Sequence, residues 1–118
     1  LKVWQRAKDL AVFIYKITND GQLAKDFALR DQIRSAAVSI PSNIAEGDEL
    51  GTNKQAINFF HTAKGSTAEV LAQTIIANEI GYLDNETSTH IQEECATIAR
   101  MLNKLIQARK KSPTKPNP

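Results

Sequence analysis

The sequence predicts an all-α protein, an antiparallel up-and-down four-helix bundle, and three observations carry that prediction. Apolar residues recur at alternating three- and four-residue spacing in four separate stretches, the period of one helical face. The stretches are divided by short segments rich in Gly, Asn and Asp, which favour antiparallel neighbours. A chain of 118 residues with 42% hydrophobic and 24% charged content suits one water-facing domain with one core. We therefore expect a bundle domain over residues 1–111 and a disordered proline-rich tail over residues 112–118.

The first stripe is Val3, Ala7, Leu10, Ile14 and Ile17, widened by Trp4, Ala11 and Tyr15. Trp4 and Tyr15 read as core or interface anchors rather than platforms for stacked bases. "TNDGQ" around Gly21 is expected to end this helix, since these residues tolerate the left-handed turn of a helix terminus.

The second helix begins between Ala24 and Ala28, and its stripe is Ile33, Ala37, Ile40 and Ile44. The stripe passes straight through Pro41, which lacks an amide donor and costs about 3 kcal/mol in an unsupported helix interior. Two helices meeting near Ile40 would break the phase, so the unbroken periodicity favours a kinked second helix at Pro41. Small residues around the proline allow a second backbone to come close, and Gly47 is expected at the C-terminal cap, with "GDELGTN" as a loop.

"TNKQ" fits a capping box, with Thr52 accepting from the first turn and Gln55 reaching back. The third helix then runs to Gly81, roughly 40 Å at 1.5 Å per residue. Its stripe is Ala56, Phe60, Ala63, Thr67, Val70, Thr74 and Ala77, and Gly65 is expected to mark a close crossing. In its later half Val70, Leu71, Ala72, Ile75, Ile76 and Ala77 surround the helix, leaving Glu69 and Gln73 as a polar strip. Such a helix is either the most central of the bundle or meets another subunit, and Leu71, Ala72, Ile75 and Ile76 are the candidate oligomer interface. Asp84 and Glu86 suit the start of the fourth helix, whose stripe is Ile91, Cys95, Ile98, Leu102 and Leu105.

Catalytic and metal chemistry find little support. The histidines are His61 and His90, neither in the Glu-x-x-His spacing of a di-iron bundle, and neither preceded by an arginine four to six residues earlier as in bundle nucleases. Cys95 lies in a core stripe with no histidine one turn away, which disfavours a nucleophile. No glycine loop offers a phosphate cradle. We therefore expect no enzyme, no metal and no cofactor. "LKVWQRAKD" has no signal-peptide pattern, and no apolar run approaches the ~20 residues that span a bilayer, so the expected place is the cytoplasm and no membrane partner is expected.

Charge is unevenly spread. Residues 1–45 hold seven lysines and arginines against four aspartates, a net +3; residues 46–108 hold four against nine acids, a net −5; Arg109, Lys110, Lys111 and Lys115 follow. A nucleic-acid surface would then rest on Lys2, Arg6, Arg30 and Arg34, or on Arg109, Lys110 and Lys111. Arg30 and Arg34 are one turn apart on a shared face, where a ring of subunits would repeat them.

"QIRSAAVSIPSNIAEG", followed by "AKGSTAE" and "IGYLD", resembles the small four-helix bundle proteins encoded in intervening sequences of bacterial large-subunit (23S) ribosomal RNA genes. The likeness runs from "VWQRAKDLAVFIYKIT" to "IARMLNKLI", and its most specific part contains Ser39, Pro41, Asn43, Glu46 and Gly47. The resemblance implies a bundle fold, a ring-shaped homopentamer, and kinship with the accessory variability protein of diversity-generating retroelements, which binds nucleic acid and a reverse transcriptase. The chain has Ser35 after Arg34 where that family often has a second arginine, and Leu50 where it often has an arginine. Both differences remove positive charge. The expected function is a non-enzymatic oligomeric accessory or scaffold protein that binds RNA or DNA through a basic surface; the alternative is a protein-assembly module without nucleic acid.

Overall fold

The computed structural model describes residues 1–111, which form five helices: α1 Lys2–Ile17, α2 Gly21–Lys25, α3 Phe27–Glu49, α4 Asn53–Glu79 and α5 Asn85–Lys111. Among the described residues there is no strand. The four long helices run antiparallel in a body of 51 × 21 × 18 Å, with α1 against α3, α3 against α4, α4 against α5, and α5 closing back on α1. The four expected stripes are the four long helices. The short α2, which buries Leu23, is additional and carries the chain from α1 into α3. Residues 112–118, expected as a disordered tail, lie outside the described residues.

Each terminus has a local cause. α1 ends at Ile17, just before "TNDGQ" begins, and the Thr18 amide and buried hydroxyl both donate to the Ile14 carbonyl, at 3.1 and 2.8 Å. Gly21, at φ 76, then turns the chain into α2. Asp26 caps α3 by accepting from the Leu29 amide at 3.1 Å, and its other carboxylate oxygen accepts from the Tyr82 hydroxyl at 3.2 Å. The start of α3 is thus tied to the α4–α5 loop.

Thr52 accepts from the Gln55 amide at 3.2 Å, as the capping box requires. Its hydroxyl donates to Gln55 Oε1 at 2.9 Å, so the box closes on the threonine side chain instead of its backbone amide. At the far end of α4 the Tyr82 amide donates to the Ala77 carbonyl and the Gly81 amide to the Asn78 carbonyl, with Gly81 at φ 87. This is a Schellman closure, in which a glycine takes the left-handed position. Asp84 accepts from the Thr87 amide at 2.7 Å, and that bond holds its carboxyl below the usual range.

The core follows the predicted stripes with small shifts. Val3, Ala7, Leu10, Ala11 and Ile14 are buried from α1, while Ile17 is half-buried. All seven stripe residues predicted for α4 are buried. In α5 the last buried position is Ile106; Leu105, named from the sequence, is half-buried. Pro41 lies inside one uninterrupted helix, so the reading of two helices meeting near Ile40 is set aside.

Neither of two glycines has the role expected of it, and the close approach falls to Gly47 in place of Gly65. Gly47 is no cap: it is buried within α3, which continues to Glu49 and leaves a loop of only residues 50–52. A Cβ there would lie 2.6 Å from Phe60 Cε1 and 3.1 Å from the Ala56 carbonyl oxygen, so the missing side chain is the notch that admits the Phe60 ring. Gly65, expected at a close crossing, is exposed, and a Cβ would meet nothing within 4 Å.

Opposite stability changes should therefore follow from the same substitution. Gly65→Ala should stabilise by about 0.5–1 kcal/mol through backbone entropy alone. Gly47→Ala gains that same propensity but overpacks a fully buried ring, typically costing about 1–3 kcal/mol, and should lower the denaturation midpoint. Urea unfolding of the two variants beside the parent protein checks both signs.

Candidate interaction surfaces

Charged side chains that read as a nucleic-acid surface are largely engaged within the fold. Arg34 donates from Nε to Thr18 Oγ1 at 2.7 Å, and from Nη2 to Asn19 Oδ1 at 3.0 Å and the Tyr15 carbonyl at 3.3 Å. Its guanidinium lies 4.6 Å from the centre of the Tyr15 ring. A cation here meets the negative end of the α1 dipole and donates to one carbonyl of its last turn, that of Tyr15. Arg30 lies 4.7 Å from the Phe27 ring centre, pairs with Asp31 at 3.0 Å and donates to the Ala24 carbonyl. Arg6 makes two 3.1 Å bonds to Glu94 across the α1–α5 seam, which raises its already high proton affinity.

Arg109 belongs to the bundle more than to the tail. It is at the end of α5, with a side chain 14% exposed, donates to Asn53 Oδ1 at 3.2 Å and approaches Asp48 at 4.0 Å. Its guanidinium also lies 5.8 Å from the Phe60 ring centre. One side chain thus links the ends of α3 and α5 to the start of α4. Lys2, Lys110 and Lys111 are exposed and make no ion pair among the described residues.

The predicted basic residues do not gather in one patch. Arg30 and Arg34 sit where α1 ends and α3 begins; Lys2, Arg109, Lys110 and Lys111 sit at the opposite end of the long axis, and Arg6 lies one turn in from there. A lysine missed from the sequence, Lys104, joins Lys2 at the mouth of an apolar groove of about 350 Å³ formed with Leu1, Val3, Met101 and Leu105. Its signal is topological: antiparallel packing brings the first turn of α1 beside the last turns of α5.

The candidate oligomer residues lie on the outer side of α4. Leu71 is half-buried, Ala72 is exposed, and Ile75 and Ile76 are 37% and 51% exposed. Ile80, 54% exposed, continues this edge and was missed because it falls in the terminal turn. A second apolar patch, absent from the predictions, is a groove of about 290 Å³ between α1 and α3. Its floor is Ala11, Val12, Tyr15, Val38 and Pro41, and Lys8, Lys16 and Asn19 border it.

The motif residues are mostly structural. Ser39 Oγ accepts from Ser66 Oγ at 2.8 Å and from Asn43 Nδ2 at 2.9 Å, a polar clasp between α3 and α4. Gly47 admits Phe60, and Pro41 lines the α1–α3 groove. Glu46 is exposed and has no hydrogen bond or ion pair among the described residues.

Among the described residues, no three His, Cys, Asp or Glu side chains converge as metal ligands. His61 is exposed, and His90, also exposed, meets the Phe13 ring edge-on at 4.9 Å. Burial, with a smaller contribution from Glu94, pushes the Cys95 thiol up to about 12, so it stays protonated near neutrality. No helix among the described residues is long and apolar enough to cross a membrane.

Fold and surfaces together define a helical bundle whose unfilled chemistry lies on its outside. The model of the 23S rRNA-intervening sequence protein family matches residues 1–104, and the chain belongs to that family. Its structure is similar to that of a protein of unknown function from the S23 ribosomal protein family of Bacteroides thetaiotaomicron VPI-5482. The two superpose with a TM-score of 0.81 over 88% of this chain and 97% of the other, at 23% identity, a likeness of fold. No curated protein matches the chain.

The bonds of Arg34 give it a structural consequence separate from any ligand. Arg34→Ala should lower stability by about 1–2 kcal/mol, since it removes charge-assisted bonds to three acceptors. Lys16→Ala, an exposed neighbour with no ion pair, should stay within about 0.5 kcal/mol. Chemical denaturation of both variants distinguishes the two roles.

Proposed function

We propose that this protein is a non-catalytic scaffold that works as an assembly of identical subunits. The observation that carries the reading is the row of exposed isoleucines on α4, Ile75, Ile76 and Ile80, continuous with Leu71 and Ala72. Monomeric proteins rarely leave a contiguous apolar edge in water, and self-association covers it without another gene product. The family resemblance adds the expectation of five copies in a ring. In light scattering at micromolar concentration the parent protein should have a mass above the monomer's. Ile76→Glu should shift it to the monomer with its helical spectrum unchanged, because the residue lies outside the core. A parent protein that is already monomeric would sink the proposal.

A nucleic-acid contact is the second reading, and the lysine-rich end favours it. Lys2, Lys104, Lys110 and Lys111 lie at one end of the bundle without ion pairs among the described residues, whereas Arg6, Arg30, Arg34 and Arg109 are held by intramolecular partners. Phosphate contacts need free cations. Changing these four lysines to glutamine should abolish salt-sensitive binding to RNA or DNA in a fluorescence-anisotropy titration and leave the melting temperature nearly unchanged. Binding that survives would move the contact elsewhere. A partner protein such as a reverse transcriptase, implied by the resemblance, would join the same assembly.

A further inference from the structure

Eight large hydrophobic residues are exposed among the described residues: Leu1, Val12, Tyr15, Phe27, Val38, Ile75, Ile76 and Ile80. Six of them fall into two patches. Val12, Tyr15 and Val38 line the concave groove between α1 and α3, and Ile75, Ile76 and Ile80 form the convex edge of α4. α4 sits diagonally across the bundle from α1, so one subunit cannot use its edge to fill its own groove.

Charge distinguishes the two patches as well. Lys16, which makes no ion pair among the described residues, and Lys8, which pairs with Asp9 at 2.7 Å, border the groove, and Arg34 stands over Tyr15 beside it. The α4 edge is flanked on its own helix by Glu69 and Glu79, which make no ion pair among the described residues. Two α4 edges facing each other across a two-fold axis would bring these glutamates together, and two grooves would bring the lysines together. Like charges across an interface select against both arrangements. Edge against groove joins apolar to apolar, convex to concave and acid to base.

We infer that the α4 isoleucine edge of one subunit docks in the α1–α3 groove of a second copy. The contact is heterologous: each subunit offers an edge and a groove on different faces, and successive copies close into a ring or extend as a filament. It rests on the self-association reading above and names the surface that receives the edge. It also gives Pro41 and Val38, on the outer side of α3, a place in an interface.

Cysteine pairing between separately made variants tests the assignment. Val38→Cys and Ile76→Cys both alter exposed positions, and the native Cys95 is buried. After mixing, subunit exchange and mild oxidation, the two variants together should give covalent dimers, while neither alone should. Reversing Lys8 and Lys16 to Glu should weaken assembly about tenfold or more, and reversing Glu69 and Glu79 to Lys in the same chain should restore it. Dimers from Ile76→Cys alone would show edge against edge and overturn the inference. So would a multimer by light scattering in which the mixed pair forms no disulfide, and that result would leave self-association standing. A monomer by scattering would remove both.

Discussion

The close approach of α3 to α4 is the constraint on which the rest of the bundle depends. A helix backbone comes near a facing phenylalanine only if it gives up a side chain, and Gly47 does so opposite Phe60. The seam continues through Ala36, Ala37 and Ser39 on one side and Ala63, Ser66 and Val70 on the other, with the Ser66–Ser39 bond inside it. Because Gly47 is spent on packing, α3 runs on to Glu49, and the turn into α4 shrinks to three residues. Arg109 then lies near the same ring and fastens the end of α5 to the start of α4.

Cations in this protein have two distinct uses. Arginines hold the ends and seams, where a planar fork can meet several acceptors at once: Arg34 on the last turn of α1, Arg6 on Glu94, Arg109 on Asn53. Unpaired lysines, including Lys2, Lys104, Lys110 and Lys111, stay on the surface. A count of positive charge along the sequence merges the two groups. The first group is held by intramolecular partners, and the second has no ion pair among the described residues.

Much of the fold was legible because helical periodicity reports the buried face directly. The stripes of α3 and α4 and the caps at Thr52 and Asp84 depend on residues near in sequence and were read correctly apart from the hydroxyl closure of the Thr52 box, while in α1 Ile17 proves half-buried and Tyr15 exposed. What depended on a neighbouring helix was not legible. Nothing local distinguishes Gly47, facing a ring, from Gly65, facing solvent. The capping of α1 by Arg34 requires a residue sixteen positions away to return beside Thr18. The α4 edge was visible as excess apolar residues, whereas the α1–α3 groove was not, since Val12, Tyr15 and Val38 come from two helices. The motif around Pro41 was legible as a signature of the family, and its residues serve mainly to shape the α3 surfaces.

If the α3–α4 seam is the foundation, it should be the last part of the structure to open. Native-state hydrogen exchange measures this residue by residue. The account predicts the slowest amides in residues 36–47 and 56–70, exchanging only through global unfolding, with α1 opening earlier because it joins the bundle mainly through α3 and meets α5 less extensively. Amides of α1 that outlast those of the seam would contradict it, and would place the organising contact of the bundle elsewhere.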